Sequence, residues 1–483
     1  MHARSRGPAL AVLCAATLMI ILDGTIVTVA LPSVQRSLGF SPTALTWVVN
    51  AYMIAFGSLL LLAGRLGDLI GRKQVLLAGL ALFTAASLLC AASTSPAMLI
   101  ASRFVQGAGG ALVSAVALGM IVALYPEPRE QARALSVFSF VGAAGAAIGL
   151  LAGGVLTQLL NWHWIFLVNL PIGLVTALLA VRVLDSGPGL GLRAGADALG
   201  ALLVTAGLML GIYAVVADAW AGIPAAVLLA AFVVRQAKAS VPLLRLRIFA
   251  SRNISGVFVV QLLVIAAAWG FQVLITMYMQ RVLGYGAATT GLAFAPTAVV
   301  IGAVSLGFAA RLIQRLGARV VLLAGLVLIG AALALLTTTP THAAYPSGLL
   351  PGLLIFGLGG GLTLPALATL GMSAATPQDA GLISGLFNTG QQLGGALGVA
   401  ALSALAAART RGLAASGHDA ASTLTGGYHL AFAIGAGLAV ASIALAALIL
   451  RRPAPPAPSP TDPLAGSSAE HSTEIPPAPA FAG

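Results

Sequence analysis

Fourteen long apolar runs dominate this sequence, and short polar or basic segments separate them. A helix that crosses a bilayer needs roughly 20 mostly apolar residues. Only 7% of the residues are charged, against about 25% in a soluble domain, so this apolar mass cannot fill a soluble core. The sequence therefore predicts an all-α membrane protein with 14 transmembrane helices. The runs lie near residues 9–31, 45–63, 75–93, 97–124, 134–158, 163–183, 197–216, 220–235, 254–279, 289–310, 319–337, 345–371, 380–405 and 428–450.

The basic residues predict how these helices are oriented. With the N-terminus in the cytoplasm, nineteen Lys and Arg fall on the cytoplasmic side and four on the outer side, namely Arg36, Arg281, Arg409 and Arg411. This is the positive-inside bias of a multi-pass protein of the cytoplasmic membrane, with both termini inside. Because the +12 net charge is spread over short loops, it does not indicate a nucleic-acid partner.

Breaks in composition divide the chain into four parts. The loop at 64–79 has a worn counterpart at 311–325, and internal repeats of this kind build the two halves of transporters. The tail is rich in Pro, Ala and Ser and cannot bury a core. The expected parts are an N-terminal six-helix bundle (1–184), an inserted helix pair with a cytoplasmic linker (185–252), a C-terminal six-helix bundle (253–450) and a disordered cytoplasmic tail (451–483).

One acidic residue, Asp23, falls in the middle of a predicted helix. A charged, unpaired carboxylate there costs at least about 2.5 kcal/mol, so such residues usually carry function. We expect Asp23 to carry protons, and the alternative is a structural acid bonded to a neighbouring helix. Arg103 is the one basic residue placed within a predicted span, and Gln106 shares its helix face. Both are candidates to modulate the proton site, unless Arg103 extends towards the membrane surface as a snorkelling side chain.

A glycine-containing loop between the second and third spans indicates a moving part. The loop GRLGDLIGRK orders Gly64, Asp68, Gly71, Arg72 and Lys73 as a charged latch on the cytoplasmic side, and the alternative is a plain positive-inside loop.

The fifth span carries a glycine stripe that predicts close backbone packing, although small residues also pack generically. It comprises Gly145, Gly149 and Gly153 at helical spacing, with Gly154 beside them.

Polar and aromatic side chains in the second half predict a cavity for a lipophilic ligand. The candidates are Trp269, Gln272, Tyr278, Asn388 and Gln391, each of which also suits a packing role. No phosphate-binding loop, metal-ligand spacing or nucleophile elbow occurs in the sequence. We therefore expect no enzyme, no metal and no cofactor.

Seven sequence blocks in order resemble the fourteen-helix drug/proton antiporter branch of the major facilitator superfamily. They cover nearly all of residues 9–450, and Asp23, GRLGDLIGRK, Arg103 with Gln106, and the glycine stripe lie at the branch's motif positions. The blocks are LDGTIVTVALPSVQRSLG, GRLGDLIGRK, RFVQGAGGA, GAAGAAIGLLAGGVL, NWHWIFLVNLPIG, YMQRVLGYGAATTGLAFAP and SGLFNTGQQLGGALGVA.

The resemblance implies a major facilitator fold of two six-helix bundles plus two inserted helices. It implies proton-coupled export of lipophilic drugs, antibiotics or similar compounds by alternating access, with the proton gradient as energy source. The substrate would be cationic or neutral, and we expect a monomer in the bilayer. The alternatives are a proton symporter or facilitator for uptake of a small metabolite, and a transport-dead membrane sensor.

Three residues depart from the family's pattern. Leu150 stands where the helix 5 motif usually has Pro, Leu69 replaces a basic residue of the loop motif, and His163 replaces Arg between two Trp. We expect these changes to affect the kink of helix 5, the latch and the charge at the outer end of helix 6.

Overall fold

A computed structural model describes residues 6–185, 189–191, 195–372 and 380–449, and these form helices and connecting turns without a strand. Fourteen helices in this part are long and apolar enough to cross a membrane, which confirms the predicted count. They are α1 (Arg6–Leu38), α2 (Trp47–Ile70), α3 (Arg72–Ala91), α4 (Pro96–Leu124), α5 (Pro128–Leu159), α6 (Trp164–Val183), α7 (Ala198–Val216), α8 (Gly222–Lys238), α9 (Arg252–Arg281), α10 (Ala287–Leu316), α11 (Ala318–Leu336), α12 (Leu350–Met372), α13 (Ala380–Ala415) and α14 (Ala420–Ile449).

Two glycines make corresponding turns in the two halves of the chain. Gly71 separates α2 from α3 with φ 102°, and Gly317 separates α10 from α11 with φ 85°. This left-handed backbone is strained for residues with a Cβ, so glycine is needed at both turns. Both glycines belong to the repeated loop sequence, and the repeat therefore extends to the backbone conformation.

Several helices run past the apolar segments that predicted them. Arg409 and Arg411, expected in an outer loop, lie within α13, which continues to Ala415. Likewise α14 begins at Ala420 rather than near residue 428. The reason is that backbone hydrogen bonding continues beyond the hydrocarbon layer, so a hydropathy limit does not end a helix.

The described helices pack as one compact unit. In the first half α4 packs on α2 and α3, and α1 packs on α5; in the second half α9 packs on α13 and α14, and α11 on α12. Helices α7 and α8 pack on each other, and Thr205 of α7 donates a 2.9 Å hydrogen bond to Ser58 of α2. The predicted disordered tail, 451–483, lies outside the described residues.

Candidate functional site

An ion pair lies in the interior of the first six helices. The Arg103 Nη1 of α4 donates to the Asp23 Oδ2 of α1 at 2.6 Å. Asp23 is 0% and Arg103 1% exposed. Arg103 is therefore not a snorkelling side chain, and its charge is balanced inside the protein, as a buried guanidinium requires.

Amide side chains complete the coordination of the Asp23 carboxylate. Its Oδ1 accepts hydrogen bonds from Gln106 Nε2 at 2.8 Å and from Asn169 Nδ2 at 2.9 Å. Gln106 Nε2 also donates to the Ser87 Oγ at 2.8 Å. Three helices, α1, α4 and α6, thus meet at one carboxylate, and Ser87 of α3 joins them through Gln106. Each side chain bonded to the carboxylate donates to it, so both oxygens act as acceptors.

Arg103 has further contacts that would hold it in place without Asp23. Its Nε donates to the Val48 carbonyl at 2.9 Å, and its Nη1 also reaches Gln106 Oε1 at 2.6 Å. The guanidinium carbon lies 4.3 Å from the centre of the Tyr52 ring, a cation–π contact.

Sequence reasoning placed Asp23, Arg103 and Gln106 together but missed Asn169 and Ser87. Both are fully buried. Asn169 stands within the apolar block NWHWIFLVNLPIG, and a buried amide in such a run was a usable signal. A single Ser in a membrane helix is not a usable signal, because its hydroxyl usually bonds the backbone of its own helix.

The predicted latch connects α3 to two neighbouring helices. Arg72 forms a half-exposed ion pair with Asp68 at 3.6 Å and donates to the Gly119 carbonyl of α4 at 2.9 Å. Lys73 Nζ donates to the Leu184 carbonyl at the end of α6 at 2.5 Å. Gly71 makes the turn, whereas a Cβ on Gly64 would meet nothing within 4 Å, so Gly64 has no packing requirement.

A cavity of about 480 Å³ adjoins this latch, and the linker after α6 covers part of it. The backbone N–H groups of Leu190 and Gly191 donate to the carbonyls of Asp68 and Leu69, each at 2.9 Å. The Leu69 side chain, which replaces a basic residue, is buried. It therefore packs inside the protein instead of adding a charge to the latch.

The glycine stripe brings α5 into backbone contact with two helices. A Cβ on Gly153 would lie 2.6 Å from the Ile26 carbonyl of α1, and one on Gly145 would lie 2.8 Å from the Leu18 side chain. Gly149 packs on Thr25 in the same way, while a Cβ on Gly154 would lie 2.5 Å from the Ala287 carbonyl of α10.

The Leu150 departure leaves α5 as one continuous helix between Pro128 and Leu159. The Leu150 carbonyl lies against Gly291 of α10. The packing stripe is therefore present without the usual Pro.

The predicted ligand residues occupy helices α9 and α13, which pack together. Trp269, Gln272 and Gln391 are half-buried, and Asn388 is exposed. Tyr278 is fully buried and its hydroxyl donates to the Pro340 carbonyl at 2.5 Å. Tyr278 therefore has a structural contact, and the cavity itself stays a prediction.

His163 lies in the turn between α5 and α6. It stacks on Trp162 with ring centres 3.8 Å apart, and its Nδ1 lies 3.1 Å from Asn161 Oδ1. Burial lowers the pKa of the His163 imidazole. The position is therefore uncharged at neutral pH, unlike the Arg it replaces.

The comparison with protein families agrees with this geometry. The family model described as Major Facilitator Superfamily matches residues 13–399, most of the chain. The chain belongs to the major facilitator superfamily. Membership confirms the predicted fold and the transporter class.

Relatives within the superfamily are resistance and export proteins. The puromycin resistance protein pur8 of Streptomyces alboniger is 39% identical over 453 residues, covering 90% of each chain. The cephamycin export protein CmcT of Amycolatopsis lactamdurans is 40% identical and covers 84% of this chain and 86% of its own. The probable actinorhodin transporter of Streptomyces coelicolor is 34% identical, with coverage of 83% and 72%. The predicted resemblance to the drug-exporting branch of the superfamily is thereby confirmed.

Solved structures show the same superfamily fold at low identity. A bacterial homolog of the human lysosomal transporter Spinster, inward-facing and occupied, has a TM-score of 0.70 at 14% identity, covering 95% of this chain and 100% of that one. The nucleoside transporter NupG has a TM-score of 0.66 at 12% identity, with coverage of 92% and 100%.

Proposed function

We propose that this protein exports small lipophilic compounds, antibiotics among them, across the cytoplasmic membrane in exchange for protons. The observation that carries the proposal is the buried Asp23–Arg103 ion pair within a network of donors. Relatives named for puromycin resistance, cephamycin export and actinorhodin transport support the direction and the substrate class. The proton gradient supplies the energy, and the chain uses no cofactor.

Protonation of Asp23 is the coupling step. A neutral carboxyl no longer balances Arg103, and a buried charge that loses its partner is destabilised by several kcal/mol, roughly 3–5. Arg103 keeps Val48, Gln106 and Tyr52 as partners, so the strain falls on the α1–α4 contact. The helices rearrange when the proton arrives and return when it leaves, which links the proton to the opening of the two sides.

The latch sets which conformation is held. Arg72 and Lys73 tie the start of α3 to carbonyls of α4 and α6. With the N-terminus in the cytoplasm, these bonds lie on the cytoplasmic side, and both termini do too. The latch therefore requires α3 to shift against α4 and α6 within the first half, in addition to the rocking of the two halves. The latch bonds are then made in one state and released in the other.

The substrate is a cationic or neutral lipophilic molecule, and the working unit is a monomer. Substrate and proton compete at Asp23. They do so either because the substrate binds near the carboxylate or because it stabilises a conformation that disfavours the proton. A cation gains from the ionised carboxylate, whereas a neutral compound needs the apolar surface of α9 and α13 alone.

Proton movement in everted membrane vesicles tests this function. Vesicles that hold a respiration-driven pH gradient receive puromycin and a panel of lipophilic cations, and a pH-sensitive dye reports proton release. We expect release with the natural protein and none with Asp23→Asn, because the asparagine cannot take up a proton. Asp218→Asn is the matched control, since Asp218 is an exposed acid in the turn before α8. Release by Asp23→Asn equal to that of the natural protein would contradict the proton role.

A further inference from the structure

A second cavity, here called the outer cavity, lies at the end of the bundle opposite to the Gly71 turn. It measures about 320 Å³ and has walls from both halves, with Leu31 of α1 and Leu45 facing Val273 and Met277 of α9. The polar side chains that line it are Ser41, Thr43, Thr46, Arg281, Ser403, Thr410, Arg411 and Tyr428.

The outer cavity has a positive charge that no acid balances. Arg281 and Arg411 both line it, and no Asp or Glu does among the residues that the structure describes. Neither arginine takes part in an ion pair within that part of the chain. Arg281 donates to the neutral Gln35 Oε1 and hydrogen-bonds the Tyr428 side chain. Two guanidinium groups beside apolar walls attract an anion.

A buried hydroxyl also faces this cavity without a partner. Ser403 is only 9% exposed, and its Oγ has no hydrogen-bond partner among the described residues. The hydroxyls of buried serines usually bond a neighbour or their own backbone. By contrast, Thr46 Oγ1 nearby donates to the Thr43 carbonyl at 2.7 Å. The Ser403 hydroxyl is therefore available to donate to an oxygen of a ligand.

We propose that the outer cavity binds an oxyanion, a carboxylate or a phosphate group, through Arg281, Arg411 and Ser403. The guanidinium fork matches two oxygens of such a group, and the hydroxyl supplies a further donor. The volume accommodates the anionic group with a small body attached. The group belongs either to a free anion or to the headgroup of an anionic lipid.

Binding here would act on the conformation of the transporter. The cavity walls come from α1 and the turn before α2 on one side, and from α9, α13 and α14 on the other. Arg281 lies on α9, and Ser403 and Arg411 lie on α13. An anion held by these three residues neutralises the like charges of the two helices and stabilises the state in which both enclose the cavity. This role is separate from the proton site at Asp23.

Phosphate titration of the purified full-length protein tests the site. Inorganic phosphate is added in detergent at constant ionic strength, and binding is followed by calorimetry and by the rise in melting temperature. We expect saturable binding, weakened about ten-fold or more in Arg411→Gln because a charged hydrogen bond is lost. Ser403→Ala should weaken binding by a smaller factor, roughly three-fold.

The chain offers a close control in Arg409→Gln. Arg409 lies two residues from Arg411 in α13, is exposed, and does not line the cavity. Arg409→Gln should bind phosphate as the natural protein does. Because Arg411 is itself exposed, its replacement should leave the fold intact, and the melting temperature without phosphate checks this.

Nanodiscs distinguish the two sources of the anion. The same titration is repeated in phosphatidylcholine alone and with phosphatidylglycerol added. Weaker phosphate binding in the mixed lipid identifies a lipid headgroup as occupant, whereas equal binding identifies a free anion. Absence of saturable binding in both detergent and phosphatidylcholine overturns the proposal, as does equal weakening by Arg409→Gln.

Discussion

Hydrogen bonds pair most polar atoms around Asp23, whereas Asn169 Oδ1 and the Tyr52 hydroxyl have no partner among the residues that the structure describes. Gln106 donates to Asp23 and Ser87 through Nε2, and its Oε1 accepts from Arg103 and lies 3.6 Å from the Cys90 Sγ. The cluster carries one negative and one positive charge, so it is neutral as a whole. A proton added to Asp23 leaves the cluster with a net positive charge. The N–H groups around the carboxylate donate hydrogen bonds, so their side chains must rotate before one of them can accept a bond from the new O–H. In the proposed mechanism, uptake of a proton is therefore linked to rearrangement of the helices.

Removal of one donor should weaken proton exchange at Asp23. In Asn169→Ala the Asp23 carboxylate loses a 2.9 Å hydrogen bond that holds it in position. We expect the initial rate of substrate-induced proton release to fall about ten-fold, since a lost bond to a charged group is worth roughly 1.5–3 kcal/mol. Dye measurements in vesicles give this rate.

A pair of serines provides the control for this loss. Ser87→Ala should lower the rate by less, because Ser87 acts on Asp23 through Gln106 and Asn169. Ser93→Ala removes a hydroxyl that donates to the Leu89 carbonyl of its own helix and should leave the rate unchanged. Unaltered rates in both Asn169→Ala and Ser87→Ala would show that these residues do not position the carboxylate.

Charges inside apolar runs are predictable from sequence because they are rare and need partners. This is why Asp23 and Arg103, with Gln106 one turn along the same helix, could be placed together from the sequence alone. Asn169 and Tyr278 show the limit of such a prediction. An uncharged polar residue is common in membrane helices, and whether it meets a carboxylate or a backbone carbonyl depends on how the helices are rotated against each other.

At the scale of helices, the stripe on α5 decides how closely α1 can approach. Three glycines meet the backbone or side chains of Leu18, Thr25 and Ile26 on α1, the helix that also carries Asp23. The distance between Asp23 and α5 therefore depends on the absence of Cβ atoms at these glycines.

Gly149→Ala should disturb this contact. A Cβ there would meet the Thr25 hydroxyl and lie 2.9 Å from the Leu22 carbonyl, so α1 and α5 must separate. We expect a loss of roughly 1–3 kcal/mol of stability from overpacking, seen as a lower melting temperature in detergent, together with reduced export. Gly302→Ala is the control, since nothing lies within 4 Å of its added Cβ. A Gly149→Ala protein as stable as that control would contradict the close contact.

Asp197 joins the two inserted helices through hydrogen bonds and makes their stability depend on pH. It caps α7 through the Gly200 N–H at 2.9 Å and accepts from Arg235 and Gln236 near the end of α8, at 3.0 and 2.7 Å. Burial acts to raise the pKa of the Asp197 carboxyl, but these hydrogen bonds outweigh it and hold the pKa below its usual value. A lowered folded-state pKa means stability that is present above the unfolded value, about 3.9, and lost as the pH falls through the folded value.

Asp197→Asn should therefore lower the melting temperature at pH 7, by an amount equivalent to roughly 1–3 kcal/mol. The difference from the natural protein should stay constant down to about pH 4 and shrink below it, because Asp197 itself then becomes protonated. Thermal unfolding in detergent over a pH series measures this. Asp218 is an exposed cap of the turn before α8, and Asp218→Asn should show no such trend. If the difference between Asp197→Asn and the natural protein is the same at every pH, the ionised Asp197 is not the source of the stability.

At the scale of the whole molecule, hydropathy predicts the architecture well because it sums over about 20 residues per helix. The number of helices follows from such sums. The repeated glycines, Gly71 and Gly317, follow from a backbone with positive φ at both turns. Contacts between the halves could not be predicted, since they join residues far apart in sequence through single side chains. Several hydrogen bonds between the halves lie at the end opposite to the Gly71 turn, where Gln280 donates to the Val29 carbonyl at 2.9 Å and Arg281 to Gln35.

Gln158 of α5 and Ala288 of α10 make a further contact of this kind. The Ala288 N–H donates to Gln158 Oε1 at 2.9 Å, next to the close approach of Gly154 to Ala287. If alternating access opens this end, α5 and α10 must separate here. Cysteines at 158 and 288, joined by a short bifunctional thiol reagent, should therefore block export while the uncross-linked double variant stays active. The natural Cys14 and Cys90 are buried and are replaced by Ala in all variants, so that only the new pair reacts.

Cysteines at positions 252 and 448 give a matched pair within the second half. The Arg252 side chain donates to the Leu448 carbonyl at 3.1 Å, and both positions belong to helices that pack together in that half. A cross-link between them should leave export largely intact, because a rocking motion carries both helices as one body. Export that survives the 158–288 cross-link would mean that the two halves do not part at this end, and that the exit path runs elsewhere through the bundle.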